Sequence, residues 1–177
     1  MRAFSRAASR ALFFTAIIPR QPDGCRGLKS AGPSGPESPR PSILLELRLS
    51  QLEVNAGLQP WLLRAIIMRE QGIMVGDIGF HTAPGAEYLA ELSPGGVEFG
   101  FGVLEPWRRR GIAMEASEAL MRSAREVHQV KRFVLCISPD NLPSLGVAAK
   151  LGFRKIGSPV DEHDGPEDIF EKSDESS

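Results

Sequence analysis

A strand-like run, Val97-Glu98-Phe99-Gly100-Phe101-Gly102-Val103, passes through Pro106-Trp107-Arg108-Arg109-Arg110-Gly111 into a segment with helical periodicity. A strand, a basic turn and a helix start in that order leave the backbone few arrangements. The first turn of a helix has N–H groups without intrahelical partners. The aligned peptide dipoles add partial positive charge at that end. An anion there satisfies both, so the passage suits a phosphate-bearing ligand. Gly111 lets backbone approach the ligand closely, and Ala113 keeps the next turn small. Arg108, Arg109 and Arg110 add charge and forked donors. The same residues equally suit a solvated basic turn closing a strand.

The flanking sequence predicts a mixed sheet with helices packed on it, an α/β or α+β domain. Trp61 to Met68 and Ile73 to Phe80 read as two strands joined by a turn at Gln71-Gly72, an antiparallel hairpin. His81 to Gly96 is turn-rich, and Val97 to Val103 is the third strand. A helix is expected from about Gly111 to His128, with Ala113, Ala116, Ala119, Leu120, Ala124 and Val127 as its packing face. Arg132 to Ile137 reads as a strand buried on both faces, which leaves Cys136 as packing. A second helix follows from about Asn141 to Leu151, ended by Gly152 in a left-handed cap. Phe153 to Ile156 and Ile169 to Glu171 are short final strands. Upstream, Ser42 caps an expected helix carrying Leu45, Leu49 and Leu52.

Residues 1–41 differ in kind. Met1 to Pro22 contains no acidic residue, and Arg2, Arg6 and Arg10 recur every four positions. Three readings fit: an unstructured leader or upstream extension, an Arg-rich mitochondrial transit peptide, or a weak secretory signal around Ala11 to Ile18. Pro22 to Pro41 is rich in Pro and Gly and reads as a linker. The folded domain is therefore expected over residues 42–177. With 177 residues and 42% hydrophobic content, the chain suits one domain with one core. A formal net charge of −1 counts against a general nucleic-acid binder built around the arginines. No apolar run approaches the ~20 residues of a membrane-spanning helix. Cys25 and Cys136 lie far apart, and no Cys/His spacing matches a metal site. A reducing compartment follows: cytoplasmic, or mitochondrial if the leader is a transit peptide.

The residues around Gly111 resemble the acetyl-CoA signature of the GNAT superfamily of N-acetyltransferases, Gln/Arg-x-x-Gly-x-Gly/Ala. Arg108, Gly111 and Ala113 fill its defined positions. Glu98 to Val103 looks like the family's central strand, and Ala113-Met114-Glu115-Ala116 like the start of its pyrophosphate helix. Ser138-Pro139-Asp140-Asn141-Leu142-Pro143-Ser144 looks like the start of its second conserved helix, which Lys150-Leu151-Gly152-Phe153 closes. The resemblance runs from about Pro60 to Lys172. The last two segments look like the branch that includes ribosomal-protein N-terminal acetyltransferases.

The resemblance implies a mostly antiparallel sheet whose strands near Val103 and Ser138 splay apart to admit acetyl-CoA as co-substrate, with no metal. It implies that backbone at Val103 and Leu104 holds the pantetheine and polarises the thioester. Arg108, Arg109, Arg110, Gly111, Ile112 and Ala113 then surround the pyrophosphate, and Asn141 and Ser144 contact the cofactor. Helix capping explains Asn141 and Ser144 equally well. The acceptor would be a primary amine, a protein N-terminus or a small molecule. Such amines are protonated at neutrality, with pKa about 7.7–8.0 for an α-amino group and about 10.4 for lysine. A base is therefore useful, and Glu98 is the candidate; its plain alternative is a solvent-facing strand carboxylate. Many family members use a tyrosine in the second helix as general acid. The only tyrosine here is Tyr88, so that step is unassigned. His81 and His163 receive no role. The short front end implies a reduced acceptor pocket, or one completed by a second subunit in a homodimer. A non-catalytic acyl-CoA-binding module with the same fold is the competing reading.

Overall fold

A computed structural model of the chain describes residues 11–18, 55–158, 160–161 and 165–174. The expected helix after Ser42, the linker and His163 lie outside the described residues. Nine strands are described: β1 (Ala11–Ile18), β2 (Leu63–Met68), β3 (Met74–Phe80), β4 (Val97–Val103), β5 (Arg132–Ile137), β6 (Arg154–Gly157), β7 (Val160–Asp161), β8 (Gly165–Pro166) and β9 (Asp168–Ser173). Two α-helices, α1 (Ile112–His128) and α2 (Leu142–Leu151), complete the frame.

Seven strands form one sheet in the order β1-β2-β3-β4-β5-β9-β6, and β7 with β8 makes a separate small ribbon. Every neighbouring pair in the large sheet is antiparallel except β4–β5, which is parallel. This is the mixed, mostly antiparallel architecture expected. Ala11–Ile18, read from sequence as part of the leader, instead pairs with β2 at the sheet edge. Its apolar, aromatic and β-branched run suits a strand as well as a targeting core. The expected strand at Trp61 starts two residues later. Ala56–Trp61 is a 3₁₀ turn containing Pro60, capped by the Asn55 side chain accepting from the Gly57 amide at 2.9 Å.

Both sheet faces bury apolar side chains. Ile66, Val75, Ile78, Val97, Phe99, Phe133 and Leu135 form the larger core with Ile112, Ala116, Leu120, Met121 and Ala124 of α1 and Ala148 and Leu151 of α2. Each large side chain fully buried there contributes roughly 1.5–3 kcal/mol. Val127, expected on this face of α1, is 67% exposed, because the last turn of the helix carries it past the core. On the opposite face Val134, Cys136 and Ile169 are covered by Leu89, from the connection between β3 and β4. β5 is thus buried on both faces, as its sequence predicts. The outer strand β6 presents the exposed charges Arg154 and Lys155, which discourage edge-to-edge pairing.

Candidate acetyl-CoA and acceptor site

The parallel pair β4–β5 is joined only at Val97↔Phe133 and Glu98↔Val134. β4 stays on β3 as far as Val103, and β5 stays on β9 as far as Ile137. Beyond Glu98 the two strands therefore part, opening a wedge toward their carboxyl ends. The ladder fixes which backbone groups face it. The His81 amide donates to the Glu98 carbonyl at 2.9 Å, and the Leu104 amide donates to the Val75 carbonyl at 2.9 Å. Even-numbered positions of β4 thus serve β3, and the backbone of Phe101 and Val103 points the other way, into the wedge. Leu104, expected beside the pantetheine, has its backbone turned toward β3. Its amide is held by Val75 and its carbonyl accepts from the Trp107 amide at 2.9 Å. Phe101, not named from the sequence, shares this edge with Val103, as the period of two requires. The Leu104 side chain, 51% exposed, remains at the mouth.

The turn after β4 closes the wide end. Glu105–Trp107 is a 3₁₀ turn. Arg108 donates from Nε to the Val103 carbonyl at 3.0 Å, which fixes the turn to the strand it leaves. The Arg110 guanidinium lies 4.9 Å from the Trp107 ring centroid. Arg109 has φ 60° and Gly111 has φ 80°, so the backbone turns left-handed on either side of Arg110. Such changes of hand curl successive N–H groups toward one point, an anion-binding concavity. Gly111 is the N-cap of α1, and a side chain built on it meets nothing within 4 Å. Ile112 buries its side chain in the core, so only its backbone can face a ligand. Ala113 is half-buried in the first helical turn.

The start of α2 emerges at the same end as α1, because both helices follow the carboxyl ends of the parallel pair. Asn141 is its N-cap and accepts from the Ser144 amide at 3.3 Å. The capping role expected for this pair is therefore present. Leu142, 72% exposed, sits beside it. Gly152 closes the helix at φ 81°, as the sequence implied.

At the narrow end lies Glu98. Its side chain is 1% exposed, on the sheet face opposite α1 and α2. It is not the solvent-facing carboxylate of the plain alternative. The Tyr88 hydroxyl donates to Glu98 Oε2 at 2.8 Å. His81 Nδ1 lies 2.8 Å from Oε1, a close contact that is not aligned as a hydrogen bond. His81 follows the last residue of β3, and the register Phe80↔Phe99 sets it opposite Glu98. Tyr88 comes from a 3₁₀ turn, Glu87–Leu89, in the covering connection. Neither partner was singled out from sequence. The hairpin register could have located His81, whereas the irregular path to Tyr88 carries no periodic signal. Among the described residues no group of three or more His, Cys, Asp or Glu side chains is placed to hold a metal. Nor is any described helix long and apolar enough to cross a membrane.

Residues 38–154 match the model of the acetyltransferase (GNAT) domain. The chain belongs to the GNAT acetyltransferase family. A curated relative, the uncharacterized N-acetyltransferase YnaD of Bacillus subtilis, is 26% identical over 92 residues. That match spans 52% of this chain and about half, 49%, of the relative's length. Among solved structures, the ribosomal-protein-S5-alanine acetyltransferase of Vibrio fischeri superposes with a TM-score of 0.65 at 14% identity, covering 80% of this chain and 79% of that one. The microcin C7 self-immunity acetyltransferase MccE, solved with acetyl-CoA and AMP, gives 0.57 at 19% identity, covering 76% and 75%. At these identities the likeness is one of GNAT fold, and it agrees with the splayed sheet described above.

Proposed function

We propose that this protein transfers an acetyl group from acetyl-CoA to a primary amine, a protein N-terminus or a small molecule, by direct attack of the amine on the thioester. The observation that carries the reading is the wedge between β4 and β5, with an anion-binding turn at its wide end and a buried carboxylate at its apex. The amides from Arg109 to Ala113 hold the pyrophosphate, helped by Arg108 and Arg110. The pantetheine arm runs along the free edge of β4 at Phe101 and Val103. A backbone N–H on that edge polarises the thioester carbonyl as charge develops on its oxygen. Leu104, Leu142, Asn141 and Ser144 line the cofactor's mouth. From Val103 back to Glu98 is five residues, about 17 Å of strand, so the acetyl group is delivered near Glu98. The proton that the amine must lose is taken up at that end. The fold likeness to the ribosomal-protein-S5-alanine acetyltransferase of Vibrio fischeri supports testing a protein acceptor first, through peptides with a free N-terminus. A cytoplasmic setting is the matching location, and no partner beyond the amine is required unless a second copy completes the acceptor pocket.

A second reading, acyl-CoA binding without catalysis, draws on the enclosure of Glu98 and the lack of a tyrosine on α2. Release of CoA thiol from acetyl-CoA, followed with free-N-terminus peptides and spermidine as acceptors, separates the two. Amine-dependent release with acetylated product supports transfer. Tight cofactor binding with no product from any acceptor would assign the protein to the second reading.

A further inference from the structure

We infer that Arg108 is a positioning residue for acetyl transfer: by occupying the Val103 carbonyl it sets where the pantetheine arm stops along the edge of β4. The inference rests on the acetyl-transfer reading and deepens it. The peptide unit between Val103 and Leu104 is held at both ends. Its N–H, on Leu104, donates to the Val75 carbonyl beside β4 at 2.9 Å. Its C=O, on Val103, accepts from Arg108 Nε at 3.0 Å. A trans peptide points these two groups in opposite directions, and no peptide bond among the described residues is cis. An N–H turned toward β3 therefore turns the carbonyl toward the wedge, and Arg108 caps it there.

The turn after β4 brings Arg108 to that place. The Trp107 amide donates to the Leu104 carbonyl at 2.9 Å, and the Arg108 amide to the Glu105 carbonyl at 3.2 Å. These two bonds fold the chain back, so the Arg108 side chain reaches the strand that the chain has just left. The Trp107 side chain packs against the core and anchors the turn. The arginines of the turn thus differ in task. Arg110 lies over the Trp107 ring, whereas Arg108 is engaged with backbone.

An arm lying along the open edge of β4 bonds to it as an added strand would. Its N–H groups need edge carbonyls, and its C=O groups need edge N–H groups. With the Val103 carbonyl occupied, the outermost group on offer is the Val103 N–H. The next carbonyl inward is that of Phe101. Without Arg108, the Val103 carbonyl becomes a competing acceptor. An arm bonded there sits two residues too far out, which leaves the thioester about 7 Å short of its place. Misplacement of that kind costs the reaction more than it costs binding.

The test uses the full chain, acetyl-CoA, and free-N-terminus peptides and spermidine as acceptors. Arg108 is exposed, so substitution there leaves the core intact. Gln and Met both remove the guanidinium charge. Only Gln keeps an N–H donor at the side-chain position that Nε holds in Arg. Arg108→Met should lower kcat about 10- to 100-fold without a matching rise in acetyl-CoA KM. Arg108→Gln should keep kcat within about threefold of wild type, with acetyl-CoA KM raised by the lost charge near the pyrophosphate. A residue serving the pyrophosphate by charge alone would show the same loss in both variants, carried by KM. Thermal melts establish that each variant is folded. Equal kcat in the two folded variants, whether low or near wild type, would overturn the assignment. So would an Arg108→Met loss confined to KM. Either result leaves acetyl transfer itself standing. If the wild-type protein acetylates none of the acceptors, the transfer reading fails and the role of Arg108 in it fails too.

Discussion

Arg109 adopts a left-handed backbone, φ 60°, between β4 and α1. A residue with a side chain usually avoids that region, at a cost of roughly 1–2 kcal/mol. Strain of this kind persists where the surrounding structure imposes it, and it concentrates at binding sites. Here it shapes the concavity that Gly111 completes. Gly111 has open space around its α-carbon. Gly111→Glu should therefore leave the domain folded, at a backbone cost of about 1 kcal/mol, while abolishing acetyl-CoA binding. Calorimetric titration and a thermal melt of that variant check both halves, and unchanged affinity would remove the turn from the cofactor site. The motif at Arg108, Gly111 and Ala113 was legible because its residue types and spacing are dictated by a helix N-terminus. The left-handed Arg109 was not, since no side-chain preference marks it. Glu98 was legible as a strand carboxylate but its burial was not, since Tyr88, which donates to it, comes from a connection without periodicity.

Most elements could be read from periodicity and punctuation. β4 and β5 fall at their expected bounds, and α2 lies between its Asn141 and Gly152 caps. The starts of β2 and β1 were missed for different reasons. Pro60 and the Asn55 cap draw Trp61 into a 3₁₀ turn, and Ala11–Ile18 sits in an Arg- and Ser-rich context that imitates a targeting segment. Tertiary contact decided both. The packing of β2 on β3 is close enough to test. A Cβ at Gly79 would lie 2.4 Å from the Leu63 α-carbon and 2.6 Å from the Leu62 carbonyl oxygen. Both are backbone atoms that cannot rotate away. Gly79→Ala should cost about 1–3 kcal/mol or more in chemical unfolding. Gly146, exposed in the interior of α2, meets nothing within 4 Å. Gly146→Ala should instead stabilise by roughly 0.5–1 kcal/mol. The same sign for both substitutions would contradict the strand and helix placements.

The described residues form a sheet held closed along most of its width and open at one seam. Closure at the β9–β6 side includes Asp168, which faces Lys155 Nζ at 2.7 Å and accepts from the Ser158 hydroxyl at 2.8 Å. The hydrogen bonds from Lys155 and Ser158 lower the Asp168 pKa. A carboxyl lowered on folding adds stability above its unfolded value, about 3.9, and that stability is lost as pH falls through the lower folded value. Asp168→Asn should therefore be less stable than wild type at neutral pH, with the gap closing as the medium is acidified below pH about 3.9. A gap that widened instead would contradict the assignment. The seam itself, between β4 and β5, is the reason for the functional reading. Its most direct test is calorimetric titration of the full-length, folded protein with acetyl-CoA. Saturable one-to-one binding, lost in Gly111→Glu, is the predicted result; no heat of binding from a protein shown to be folded would contradict the account.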